Sequence, residues 1–173
     1  MLDVKELLKK ACYIMEEADE VGAYADRHNI RSAAILTVCD DELAAGLALM
    51  VAPKIAGKTV IEIGGGIGIL AFHLAEYAKR VYCIEANPLW SATFTKMLFD
   101  RKPKNVSYLF GAADEFAGQF TGDVALFATH SGIDSMKAAG QLFAPLVIDL
   151  YGEMIAENPS AFDPLARALR PYA

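Results

Sequence analysis

Cysteine is scarce in this chain: Cys12, Cys39 and Cys83 are scattered, and no C-x-x-C pair occurs. That usage suits a reducing compartment, and Cys83, set inside an apolar run, reads as a small buried hydrophobe. No His, Cys or acid spacing suggests a metal site. Positive charge is not in excess either: 16 Lys and Arg stand against 22 Asp and Glu, a net charge of −6. A domain that grips a long phosphate backbone usually carries a basic face. The only local basic cluster, Arg101-Lys102-Pro103-Lys104, reads as a solvated turn. Nucleic acid is therefore not an expected partner. No unbroken apolar run reaches the roughly 18 residues of a membrane span, so no membrane partner is expected. The first residues, Met1-Leu2-Asp3-Val4-Lys5-Glu6, are amphipathic and charged, unlike a signal peptide. The expected address is cytoplasmic.

What remains is an apolar fraction of 54% over 173 residues, enough for one domain with a full core. Buried parallel strands account for such an excess. The most informative segment is Thr59-Val60-Ile61-Glu62-Ile63-Gly64-Gly65-Gly66-Ile67-Gly68-Ile69-Leu70-Ala71. A β-branched run ends in an acid, and a glycine-dense turn opens an amphipathic helix. The glycines let the backbone turn tightly and let a ligand lie against bare peptide groups. The helix N-terminus that follows offers free N–H groups and a positive dipole end.

Around that segment the elements alternate. Helical periodicity is expected over residues 3–18 and 21–28, and over a third stretch that Asp40 or Asp41 can cap. Its inward face should be Leu43, Leu47, Met50 and Val51, with Pro53 and Gly57 ending it. Strand one is expected at 59–63, a helix at 68–78 and strand two at 80–85. Asn87 and Pro88 should open a further helix with Trp90, Phe94, Met97 and Leu98 as its apolar stripe. Strands three, four and five are expected at 106–111, 123–128 and 145–150. Ser131, with Asp134 three residues on, should cap the helix between the last two. From Glu153 onward the chain carries three prolines and at most one short helix, capped by Ser160. This order implies an α/β, doubly wound, mostly parallel sheet. The expected organisation is a helical segment at 1–52, an α/β core at 53–152 and an irregular tail at 153–173. The ligand crevice should lie at the carboxyl ends of the strands.

Gly66-Ile67-Gly68-Ile69-Leu70-Ala71 satisfies the dinucleotide fingerprint G-x-G-x-x-A, and Glu85 falls near its ribose-binding position. Glu62 argues for a different ligand. A carboxylate just before the glycines does not suit a pyrophosphate; it suits a ligand with an ammonium group. With that acid the segment reads E-x-G-x-G-x-G, which resembles the first motif of class I S-adenosylmethionine-dependent methyltransferases. The resemblance continues through Arg80-Val81-Tyr82-Cys83-Ile84-Glu85-Ala86-Asn87-Pro88 and Gly111-Ala112-Ala113-Asp114. It covers roughly residues 40 to 150. It implies a Rossmann-like sheet of about five strands in the order 3-2-1-4-5, with S-adenosyl-L-methionine as cofactor. It also implies that Glu62 favours the methionyl ammonium, while Gly64, Gly65, Gly66 and Gly68 let the backbone approach. Glu85, beside Ala86, would accept the ribose hydroxyls. Asp114, beside Ala113, would accept from the adenine amino group or else cap a helix.

The sequence departs from that family in two places. Nothing after Gly152 looks like the family's terminal antiparallel hairpin. After strand four the chain reads Phe127-Ala128-Thr129-His130-Ser131-Gly132, with neither the N-P-P-Y type of motif of nucleobase aminomethylases nor the paired glutamates of arginine methyltransferases. The catalytic candidates are His130 as general base and Thr129 beside it, against a plain loop histidine before a capped helix. His73 reads as packing within a helix. The leading reading is methyl transfer to an oxygen or nitrogen of a small molecule. A protein substrate, a non-catalytic S-adenosylmethionine sensor or partner subunit, and an NAD-dependent oxidoreductase are the alternatives. Strand five, left as an edge by the absent hairpin, is apolar with a single charge, which favours a homodimer.

Overall fold

A computed structural model describes residues 41–86, 90, 101–129 and 132–157. The expectations for 1–40, 87–89, 91–100, His130, Ser131 and 158–173 lie outside the described residues. Helix α1 (Asp41–Ile55) precedes strand β1 (Thr59–Ile63), and helix α2 (Ile69–Leu74) follows it. Strands β2 (Arg80–Glu85) and β3 (Val106–Phe110) come next, then a 3-10 turn at Ala113–Phe116. Strand β4 (Val124–Phe127), helix α3 (Ile133–Gln141), strand β5 (Leu146–Asp149) and helix α4 (Leu150–Glu157) complete the order.

The five strands form one parallel sheet in the order β3-β2-β1-β4-β5, as the resemblance implied. Parallel strands buried on both faces need apolar residues at nearly every position, and β1, β2 and β4 supply them. Alternation then divides the side chains between two cores. Val60, Val81, Val124 and Leu126 pack with residues of α1 and α2 on one face. Ile61, Ile63, Ile84, Ala125 and Phe127 pack on the other, against Met136 and Ala139 of α3. Glu62, Cys83 and Tyr108 take the register positions between these apolar residues on the α1–α2 face. They stand side by side on β1, β2 and β3, because Glu62 pairs with Cys83 and Cys83 with Tyr108.

Three local expectations need correction. Pro53 does not end α1: it sits inside the helix, which runs on to Ile55, where a fully buried side chain anchors the last turn. Gly132, not Ser131, is the N-cap of α3; its backbone is left-handed, φ 64°, and no side chain caps it. The chain leaves β5 directly into α4 at Leu150, where strand five was expected to continue. Asp149 accepts from the Gly152 N–H at 3.1 Å, so the last strand residue itself caps that helix. Leu150 and Tyr151 are buried, tying the helix to the core. Among the described residues no antiparallel strand follows β5.

Candidate functional site

The glycine turn is held to the sheet by its backbone. Gly64 and Gly65 N–H both donate to the Ile84 carbonyl, at 2.8 and 3.1 Å, and Gly68 N–H closes back on Gly65 at 2.8 Å. Gly64, Gly66 and Gly68 have φ of 70°, 55° and 77°, a region L side chains rarely enter. Gly65 is required for a different reason. A Cβ there would lie 2.1 Å from Cys83 Sγ and 3.0 Å from Glu62 Oε2. A Cβ on Gly66 would meet nothing within 4 Å. The turn thus packs inward at Gly65 and leaves room for a ligand at Gly66. At Gly64 the space is taken by the Met136 methyl from α3, 2.6 Å from where a Cβ would stand.

Two acids flank this turn. Glu62 is 3% exposed, and its Oε2 has no hydrogen-bond partner. Burial pushes its carboxyl up to about 8; the Cys83 thiol hydrogen-bonded to it works the other way, and the nearby Glu85 charge adds to the rise. Burial and the same two acids likewise hold the Cys83 thiol well above its usual range. Glu85, at the end of β2, is 9% exposed, and its Oε2 accepts from Gly66 N–H at 2.8 Å. The Tyr108 hydroxyl donates to the Gly66 carbonyl at 3.2 Å. Burial first, then the charges of Cys83, Glu85 and Glu62, keep that phenol protonated far above the ordinary range.

The structure brings Glu62, Gly64, Gly65, Gly66, Gly68 and Glu85 together at the carboxyl end of the sheet. Ala86 follows Glu85 and is exposed. Ala113 and Asp114 lie in the 3-10 turn after β3, where Asp114 is exposed and its carbonyl accepts from Ala117 N–H. Thr129, just past β4, is buried. His130 lies outside the described residues. Cys83, Tyr108 and Met136 carried no functional reading in the sequence. Their signal was there in the strand register, which aligns positions 62, 83 and 108, but register is fixed only by the assembled sheet. His73 is not simple apolar packing: its Nε2 lies 2.9 Å from Asp41 Oδ1, and Arg101 reaches the same oxygen at 3.2 Å. Arg101 also lies over the Phe72 ring at 5.2 Å. That cluster ties α1 to α2. Among the described residues no group of His, Cys, Asp and Glu could hold a metal ion.

The residues present fit the ligand that the motifs imply. An unpartnered buried carboxyl oxygen requires a donor, which an ammonium supplies. Gly66 has open space beside it, and Glu85 is an acidic acceptor at the end of β2 next to the same turn. A parallel 3-2-1-4-5 sheet with a glycine turn after its first strand is a Rossmann-like arrangement, with its crevice at the carboxyl ends of the strands. The chain has the Rossmann-like fold of S-adenosylmethionine-dependent methyltransferases, and solved structures of that fold match it. The precorrin-6y C5,15-methyltransferase of Geobacter metallireducens superimposes with a TM-score of 0.53 at 14% identity, over 62% of this chain and 58% of that one. The CcbJ methyltransferase of Streptomyces caelestis gives 0.51 at 22% identity, over 62% of this chain and 49% of that one. A proposed RNA methyltransferase of Pyrococcus horikoshii gives 0.51 at 20% identity, over 60% and 55%. The chain therefore spans little more than half the length of these relatives. No protein-family model and no curated protein matches the sequence.

Proposed function

We propose that this protein is an S-adenosyl-L-methionine-dependent methyltransferase that acts on an oxygen or nitrogen of a small molecule. The observation that carries the reading is Glu62, a buried carboxyl one residue before the turn, whose Oε2 has no hydrogen-bond partner. A pyrophosphate beside it would repel the ionised carboxylate and could be met only by the neutral acid. The ammonium of a methionyl group would meet a partner. In this reading Glu62 holds that ammonium, directly or through a water, Gly66 leaves room for the nucleoside, and Glu85 accepts from its ribose. Ala113 and Asp114 flank the adenine. When bound, the cofactor supplies an electrophilic methyl group. The chain's task is then to hold an acceptor in line with it at about 3 Å. Thr129 and His130, past the end of β4, are proposed to serve the acceptor side. No helix among the described residues is long and apolar enough to cross a membrane.

The deciding experiment is calorimetric titration with S-adenosylmethionine, S-adenosylhomocysteine and NAD. Binding of the two sulfur compounds near micromolar affinity, about −8 kcal/mol, supports the reading. Binding of NAD alone overturns it. Cofactor binding without methyl transfer across broad panels of small-molecule acceptors would overturn the catalytic half and leave a cofactor sensor.

A further inference from the structure

We propose that Tyr108 is a positioning residue for the nucleoside-binding turn: with Glu85 it fixes Gly66 in the shape that the ligand needs. The geometry is specific to one α-carbon. The peptide before Gly66 is held through its N–H, 2.8 Å from Glu85 Oε2. The peptide after it is held through its carbonyl, 3.2 Å from the Tyr108 hydroxyl. Those two peptides border both soft torsions of Gly66, so the two bonds together fix φ and ψ.

Glycine is the residue with the most backbone freedom to lose, and here it sits at φ 55° with open space where a side chain would be. Left alone, such a residue would sample many shapes, and a ligand would bear the cost of ordering it. The clamp meets that cost before binding. Its two halves differ in what the ligand does to them. Glu85 is the acid that the ribose would engage, so its bond to Gly66 N–H is shared or given up on binding. Tyr108 comes from β3, two strands away from the turn, and stands next to Cys83 in register. It packs on the α1–α2 face and bonds the Gly66 carbonyl, a group for which ribose hydroxyls engaging Glu85 need not compete. Tyr108 therefore acts through the turn and touches no reacting atom.

This inference rests on the cofactor reading only for the choice of ligand. The test compares full-length wild type with Tyr108→Phe, which keeps the ring packing and removes the hydroxyl. Two quantities are measured: affinity for S-adenosylhomocysteine and for NAD, and residue-resolved amide exchange of the ligand-free protein. The expected result is about three- to tenfold weaker binding of whichever nucleotide the wild type takes, the worth of one neutral hydrogen bond. The Gly66 amide should exchange faster, while amides in β1 and β2 keep their wild-type rates. Unchanged affinity overturns the proposal, and so does an unchanged Gly66 rate. Equal acceleration at Gly66 and throughout β1 and β2 also overturns it, because that marks Tyr108 as ordinary packing. Wild-type binding of NAD and not S-adenosylhomocysteine would refute the cofactor reading instead, and the Tyr108 comparison would then be read with NAD.

Discussion

Ligand binding should be coupled to the ionisation of Glu62, and the structure sets the size of that coupling. With its carboxyl pushed up to about 8, Glu62 is protonated in roughly nine molecules of ten at pH 7. Pairing with an ammonium requires the ionised form. Ionisation at pH 7 then costs about 1.4 kcal/mol, and at pH 8 about 0.4 kcal/mol. Affinity for S-adenosylhomocysteine should therefore rise about fivefold from pH 7 to pH 8, with about 0.9 proton released at pH 7 and about 0.5 at pH 8. Calorimetry in buffers of different ionisation enthalpy reads both quantities. The ligand's own amino group also titrates, and Glu62→Gln supplies the control, since that variant faces the same ligand without a titrating carboxyl. Its affinity should lack the fivefold gain, and its proton release should fall by the amounts given. Identical pH profiles and proton release in wild type and Glu62→Gln would refute the pairing.

The same carboxyl should shape stability. Because its folded value lies above its usual 4.5, Glu62 costs nothing below that value and destabilises the fold progressively as pH rises to about 8. Glu62→Gln should flatten that fall, by a few kcal/mol in the limit of full burial, in chemical denaturation at pH 5 and pH 8. Gly65→Ala should destabilise the protein by about 2–3 kcal/mol through overlap with Cys83 Sγ, and adding Cys83→Ala should recover part of the loss in thermal melts. Asp41 is held below its ordinary value: partial burial opposes this, but His73 and Arg101 outweigh it. Its contribution is present above pH 3.8 and lost as pH falls through its folded value, and Asp41→Ala at neutral pH should cost no more than about 1 kcal/mol because the pair is half exposed. Leu146 is 42% exposed on β5, which has no further strand beside it among the described residues. Light scattering at micromolar concentration should read roughly twice 18.7 kDa if a second copy covers that edge, and a clean monomer would exclude it.

The sheet was legible because a parallel, doubly covered strand leaves a local signature. β1 and β2 fall at the residues their apolar runs define, and the glycine turn between them is written in composition alone. Helix boundaries were less legible where tertiary packing outweighs propensity. Pro53 stays within α1 because Val51 and Ile55 are both buried against the core. The helix at Leu150 begins where a strand was expected because Asp149 can cap it and Leu150 and Tyr151 gain burial. At the site, Glu62 and Glu85 could be read from position alone. Their states could not: the neutral Glu62 follows from burial beside Cys83, and the Glu85 contact to Gly66 follows from how the turn folds over β2.

These states bear on the choice between ligand classes. A dinucleotide site presents glycine N–H groups to a pyrophosphate, and added negative charge there weakens it. In this turn one such group, Gly66 N–H, is already satisfied by a carboxylate. Gly64 and Gly65 N–H are committed to Ile84, and Gly68 N–H to Gly65. Few backbone donors of the turn thus remain for an anion. What is left over is an unpartnered oxygen on Glu62, an acceptor once the carboxyl ionises, and a second strand-end acid in Glu85. An ammonium completes the ionised Glu62, and ribose hydroxyls, which a dinucleotide also carries, complete Glu85, so Glu62 is the acid that separates the two ligand classes. Replacing Glu62 by glutamine should therefore weaken S-adenosylhomocysteine and leave NAD no weaker than before. Loss of both ligands in equal measure, with the fold intact by circular dichroism, would show that Glu62 holds the turn in shape without choosing what it binds.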